Sequence, residues 1–170
     1  MKTLYLIRHA KSDWSSGDTS DFERGINQRW EASIEILSHF LQEKNIFPDL
    51  IISSPAKRAK LTVKGLVEKI SYNKSDIEYL DIIYDTHMQG YEWFLSALMQ
   101  QNNSMKSILA VGHNYAISEL ASCLSWQDIW SMKTCSIIAL RFWVENWDDI
   151  SYGNAEVVFC ETPKSIREKK

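Results

Sequence analysis

The order of elements along the chain predicts an α/β fold, a three-layer α/β/α sandwich built on a mainly parallel sheet. Three observations carry this expectation. Short apolar runs of strand length alternate with longer stretches whose apolar residues recur at spacings of three and four. Three of the runs, Thr3–Ile7, Leu50–Ile52 and Ile108–Ala110, are each followed within a few residues by a cationic or imidazole side chain. The length of 170 residues suits one domain with a full core, and no stretch reads as a linker. One domain is expected over residues 1–163, with residues 164–170, four cations and one acid, as a flexible C-terminal tail.

Taken in order, residues 3–8 read as the first strand, too short an apolar run for a free helix. Asp13 to Gly25 is polar and reads as a loop. A helix follows over 27–43, where Ile26, Trp30, Ile34, Leu37 and Leu41 form one apolar stripe. The second strand is expected at 49–53. Ser54 then reads as the N-cap, and Pro55 as the first turn, of a helix over 55–70. Ile77 to Ile83 reads as a third strand and Gly90 to Gln101 as a helix. Residues 107–112 make a strand and Ala116 to Leu124 a helix. Ser136 to Trp143 and Glu156 to Cys160 read as late strands, antiparallel at a sheet edge. Trp126, Trp130, Trp143 and Trp147 crowd the C-terminal third and are expected to pack in the core and along the edge.

Composition excludes several classes of function. The formal net charge of −3 argues against a general nucleic-acid binder, which needs clustered cations in excess. Cys123, Cys135 and Cys160 form no CxxC pair, so neither a zinc site nor a disulfide framework is expected. A reduced, cytoplasmic setting fits those thiols. The four apolar residues before Arg8 are too few for a signal-peptide core, and nothing approaches a membrane span of roughly 20 apolar residues. A monomer is expected.

The chemistry gathers at the ends of the strand-like runs. Arg8-His9-Ala10-Lys11-Ser12 follows the first, Ser53-Ser54-Pro55-Ala56-Lys57-Arg58-Ala59-Lys60-Leu61-Thr62 the second, and Val111-Gly112-His113-Asn114 a later one. In open α/β sheets the ligand crevice lies outside the carboxyl ends of the strands. Arginine brings a fixed fork of donors suited to phosphate, and histidine a nucleophile or proton carrier that works near neutral pH. Arg58, in the first turn of its helix, would add a cation where the helix N-terminus already favours an anion.

In that order these motifs resemble the histidine phosphatase superfamily, which includes the phosphoglycerate mutases, and most closely its SixA-like branch of phosphohistidine phosphatases. The resemblance spans roughly residues 3 to 145. It implies a phosphoglycerate mutase-like fold and a phosphatase with a phosphohistidine enzyme intermediate. His9 is then the nucleophile. Arg8 and Arg58 give paired donors to the phosphoryl oxygens, and a protonated His113 donates to another. Nearby guanidinium charge helps to keep His9 neutral. No metal and no other cofactor is expected, because the arginines and His113 supply the neutralisation that magnesium supplies elsewhere.

Further candidates surround this group. Ser12 is expected to bind phosphate, and Lys11 to meet an acidic protein substrate. Asn114 is expected at the substrate, as is Thr134, which matches a threonine common in the SixA-like branch. Asp85 is the candidate general acid, with Asp81 second. His87 borders the site and His39 lies on the surface. Asp21 and Arg24 resemble the family's Asp-x-x-Arg segment and read as structural. Tyr115-Ala116 stands where Pro-Gly is usual, which changes one pocket wall. The partner is a phosphorylated protein or a small phosphorylated substrate. A small-molecule phosphatase or mutase-like enzyme is the alternative, and a non-catalytic phosphate-binding module would have predicted the loss of one of the four central residues.

Overall fold

The computed structural model describes residues 1–13, 20–27, 30–84 and 91–169. Strands β1 (Lys2–Arg8), β2 (Leu50–Ser53), β3 (Glu78–Tyr79), β4 (Ser107–Gly112), β5 (Ile137–Phe142) and β6 (Ala155–Glu161) form one sheet in the order β3-β2-β4-β1-β5-β6. Neighbours from β3 to β1 are parallel, and β5 pairs antiparallel with both β1 and β6. The helices are α1 (Glu31–Glu43), α2 (Lys57–Val67), α3 (Glu92–Met99), α4 (Ala116–Ser125) and α5 (Pro163–Glu168).

Strand alternation divides the core in two. Leu4 and Leu6 of β1 face α3 and α4 across a cluster that holds Phe94, Leu98, Ile117 and Leu120. Ile7 points the other way, into a cluster with Leu37 and Leu41 of α1 and Val63 and Leu66 of α2. Both faces are therefore covered, which is why the central strands read as continuous apolar runs. The α1–α2 contact is close: a Cβ on Gly65 would stand 2.7 Å from Cγ2 of Ile34. Lys2 is an exception to the polar-out rule. It is buried, and its Nζ donates to the carbonyls of Asn103 and Met105 at 2.5 and 2.8 Å.

Four expectations need correction. The run Ile77–Ile83 is not one strand: only Glu78–Tyr79 pairs in the sheet, and residues 81–84 turn helical. Leu80, Ile83 and Tyr84 stand at helical spacing, and a short apolar run cannot be told from a helix by pattern alone. The second helix starts at Lys57, not at Pro55, and Ala56 is its N-cap in extended conformation. Residues 164–170 are not a flexible tail as far as they are described. Thr162 caps α5 by accepting from Ser165 N at 3.0 Å, Pro163 opens the helix, and Ile166 is buried in the α1 cluster. Of the four late tryptophans only Trp147 is buried, while Trp126, Trp130 and Trp143 are each more than 70% exposed.

Candidate active site

The carboxyl ends of β1, β4 and β2 lie side by side, and their ladder runs one residue past the strands. Arg8 pairs with Gly112, His9 N donates to Gly112 O at 3.1 Å, and Ser54 N donates to Val111 O at 3.0 Å. His9, His113 and Ser54 are thus brought level by backbone pairing alone. Arg58 joins them from the first turn of α2. Thr62 secures that helix by donating to Arg58 O at 2.7 Å and accepting from Ala10 N at 2.9 Å.

Hydrogen bonding fixes the state of His9. Its Nδ1 lies 2.6 Å from the carbonyl of Ala10, which can only accept. Its Nε2 lies 3.2 Å from Nε of Arg58, which can only donate. The proton therefore sits on Nδ1, and Nε2 carries a lone pair. Burial is the main force that pushes the imidazole pKa down, to about 4. The Ala10 bond opposes this, and the charges of Arg58 and Arg8 add to it. The expected influence of the guanidiniums is present but is second to desolvation.

His113 is set the same way. Its Nδ1 lies 3.2 Å from Nη2 of Arg58, so it accepts, and its Nε2 donates to Ser54 Oγ at 2.7 Å. In this arrangement Nδ1 bears no proton, so donation to a phosphoryl oxygen requires that His113 gain one. The two imidazole rings are 4.9 Å apart between centroids. Ser54, read as a cap, accepts from Ala56 N at 3.2 Å and orients His113.

Asp21, read as structural, is the carboxylate of this site among the described residues. Arg58 donates to its carbonyl at 2.6 Å and to its Oδ2 at 3.0 Å, and Tyr84 Oη donates to the same Oδ2 at 3.2 Å. Burial raises the Asp21 pKa, but the charge and hydrogen bonds of Arg58 and the bond from Tyr84 outweigh it and hold the carboxyl below its ordinary range. Tyr84 also packs edge-on against His113 at 5.6 Å. The Asp-x-x-Arg likeness held the signal for Asp21, and none pointed to Tyr84.

Arg8 donates from Nη1 to the carbonyl of Met132 at 2.7 Å, and its Nε is buried with no partner among the described residues. Asn114, expected at the substrate, is bonded to the neighbouring loop. Its amide donates to Ser131 Oγ and Met132 O at 2.8 and 3.1 Å, while its Oδ1 accepts from Ser118 at 2.7 Å. Both amide hydrogens are thereby used in clasping the loop that holds Arg8. Lys11, Ser12 and Thr134 line a groove of about 720 Å³ that reaches the site at Arg8 and His9. Arg58 and His113 are not in that groove's wall. His39 lies on α1, 3.8 Å from Glu35, and Asp81 is exposed. Asp85 and His87 lie outside the described residues. Among the described residues no cluster of three or more His, Cys, Asp or Glu could hold a metal ion, and no helix is long and apolar enough to cross a membrane.

No protein-family model matches the chain. A chloroplastic protein of Arabidopsis thaliana, itself uncharacterised, is 26% identical over 153 residues, which cover 87% of this chain and 70% of that protein. Among solved structures, a protein of Agrobacterium tumefaciens assigned as the phosphohistidine phosphatase SixA superposes with a TM-score of 0.80 at 25% identity, over 95% of this chain and 98% of that one. A protein histidine phosphatase SixA complexed with tungstate gives 0.75 at 16% identity, over 95% and 97%. A mycobacterial glucosyl-3-phosphoglycerate phosphatase gives 0.66 at 15% identity, over 92% and 98%. These likenesses give the chain the fold of solved histidine phosphatases, SixA-like proteins among them, and its motifs and the arrangement about His9 resemble that superfamily.

Proposed function

We propose that the chain is a phosphatase that carries the phosphoryl group on His9 and takes it from phosphohistidine on a protein. The observation that carries this reading is the state of His9: a buried, neutral imidazole with Nδ1–H held by Ala10 and an Nε2 lone pair among three charged or imidazole groups. Such a nitrogen is a nucleophile at neutral pH, and its geometry is set before substrate arrives.

An incoming phosphoryl group attracts Arg8 and Arg58, and Arg58 Nε–H must turn from His9 Nε2 to a phosphoryl oxygen. The Nε2 lone pair then attacks phosphorus. The bond from phosphorus to the substrate's imidazole nitrogen breaks, and that nitrogen keeps the electron pair and takes a proton from solvent. Water next adds its oxygen to the phosphorus on His9, the P–N bond breaks, and inorganic phosphate leaves. His113 keeps its Nε2 bond to Ser54 and, as negative charge gathers beside it, takes a proton from solvent at Nδ1.

The carboxylate at Asp21 supports phosphohistidine over an alkyl phosphate. Held ionised by Arg58 and Tyr84, it has no proton to give a leaving alkoxide. A leaving imidazole needs far less help. The likeness to the mycobacterial glucosyl-3-phosphoglycerate phosphatase favours a small-molecule phosphatase as the second reading. That enzyme would need an acid, and Asp85 is the sequence's candidate. The three free thiols suit the reducing setting of a cytoplasm or an equivalent compartment.

The test is a rapid-quench reaction with a phosphohistidine peptide in buffer containing EDTA. An acid-labile, base-stable phosphoenzyme should form and vanish with turnover, and His9→Ala should form none. Turnover by the His9→Ala variant, or turnover that needs added metal, would defeat the mechanism.

A further inference from the structure

The groove that meets the site at Arg8 and His9 carries a charge opposite to that of the chain. Lys11, Lys133, Lys164 and Arg167 stand along it, and no carboxylate lines it among the described residues. The whole chain has a net charge of −3, so this stripe of cations is a local concentration. All four are exposed. Lys164 pairs with Glu168 at 3.7 Å across the solvent face of α5, and the nearby Glu161 is engaged by Lys169 and Ser165. The wall between the cations is apolar, with Trp30 and Ile36 among its residues.

We propose that this groove binds an acidic segment of the protein that presents the phosphate to His9. The inference rests on the phosphatase reading and names the partner's chemistry. Three features favour a polypeptide over a second phosphate of a small molecule. The groove's volume of about 720 Å³ far exceeds what one phosphoryl group fills. Beyond Arg8 its cations are Arg167 and three lysines, on three separate segments, and the lysines act as flexible point charges rather than a bidentate phosphate clamp. Tyr115 and Trp130 are 66% and 81% exposed, and each adjoins in sequence a residue of the Asn114–Ser131 hydrogen bond, at the loop that grips Arg8. Exposed aromatics in these segments together with a basic apolar groove make a surface suited to a protein, since such residues are enriched in interface cores.

Two peptides carrying a non-hydrolysable phosphohistidine analogue test this, one flanked by Asp and Glu and one by Asn and Gln. Binding is read by fluorescence anisotropy, which does not depend on turnover. The acidic peptide should bind on the order of tenfold tighter at low salt, and the advantage should vanish at high salt. In a Lys164→Gln/Arg167→Gln variant the acidic peptide should fall to the level of the neutral one. With hydrolysable peptides the same variant should raise KM and leave kcat unchanged, and its turnover of an aryl phosphate should match wild type. Equal affinity of the two peptides for the wild type would overturn the proposal. So would a bisphosphorylated sugar that lost affinity in the variant while both peptides did not. Charge-dependent binding with no turnover of any substrate would instead defeat the phosphatase reading and leave the groove as a docking site.

Discussion

The depressed pKa of His9 makes the acid side of this protein's behaviour quantitative. A buried imidazole at about 4, against 6.5 when unfolded, binds fewer protons in the native state than in the unfolded one between those values. The sign follows. The native state keeps this stability above pH 6.5 and loses it as pH falls toward 4, because the unfolded chain gains a proton that the buried ring refuses. Between pH 7 and pH 5 the loss is about 2 kcal/mol, within a full loss of about 3 kcal/mol. Over the same interval His9 itself stays about nine-tenths neutral at pH 5, where an unperturbed imidazole would be about 3% neutral. Urea unfolding of wild type and His9→Gln at the two pH values isolates the effect, since the other titrating groups are common to both. Wild type should lose about 2 kcal/mol more than the variant. Nitrogen NMR of the imidazole should show a protonated Nδ1 and a bare Nε2 down to pH 5. A ring that titrates between pH 6 and 7, or a proton found on Nε2, would refute the claim that burial and the Ala10 carbonyl prepare the nucleophile.

Two further outcomes follow from contacts away from that ring. Asp21→Asn should lower kcat/KM on phosphohistidine by about ten- to a hundredfold, the scale of one hydrogen bond to a charged group, because it loosens Arg58. The urea midpoint should barely move, since Asp21 is nearly half exposed, and Asp21→Glu should recover part of the rate. Gly65→Ala should destabilise the fold by about 1–3 kcal/mol in urea unfolding. The usual helix gain of up to about 1 kcal/mol is outweighed by a Cβ that would stand 2.7 Å from the branched side chain of Ile34.

The sequence was readable where local pattern and tertiary role coincide. Residues 107–112 are a strand in both readings, because five consecutive buried positions leave a run that only a fully covered strand explains. The same runs end at Arg8, His9 and His113, so the strand ends and the site were found together. Where one residue serves two ends, pattern misleads. Ser54 has the composition of a cap, yet His113 uses its hydroxyl, and the helix starts later, at Lys57. Tyr84 was hidden because Leu80, Ile82 and Ile83 resemble strand residues, while the backbone turns helical there and swings the phenol over His113. Asp21 lies in a loop without periodicity: the Asp-x-x-Arg likeness singled it out as structural, and its bond to Arg58 shows its part in the site. Helix α5 was legible in Thr162-Pro163 and Ser165, but its charged residues suggested a solvated end.

The two arginines that sequence treated alike are prepared in opposite ways. Arg58 is satisfied by the protein: Asp21, His9 and His113 together engage its three nitrogens. An anion must therefore exchange for existing partners, and among those released is the lone pair of the nucleophile. Binding of phosphate and unmasking of His9 Nε2 become one event. Arg8 is the reverse. One of its nitrogens is fixed to Met132, and its Nε is buried without a partner among the described residues. Leaving a buried donor unmade is costly, on the order of 1–3 kcal/mol, and a donor kept that way gains fully from the first acceptor to arrive. On the proposed phosphatase reading, Arg8 thus favours capture of the phosphoryl group, and Arg58 couples that capture to the readiness of His9. A site of two interchangeable cations would bind the same anion without linking it to the nucleophile.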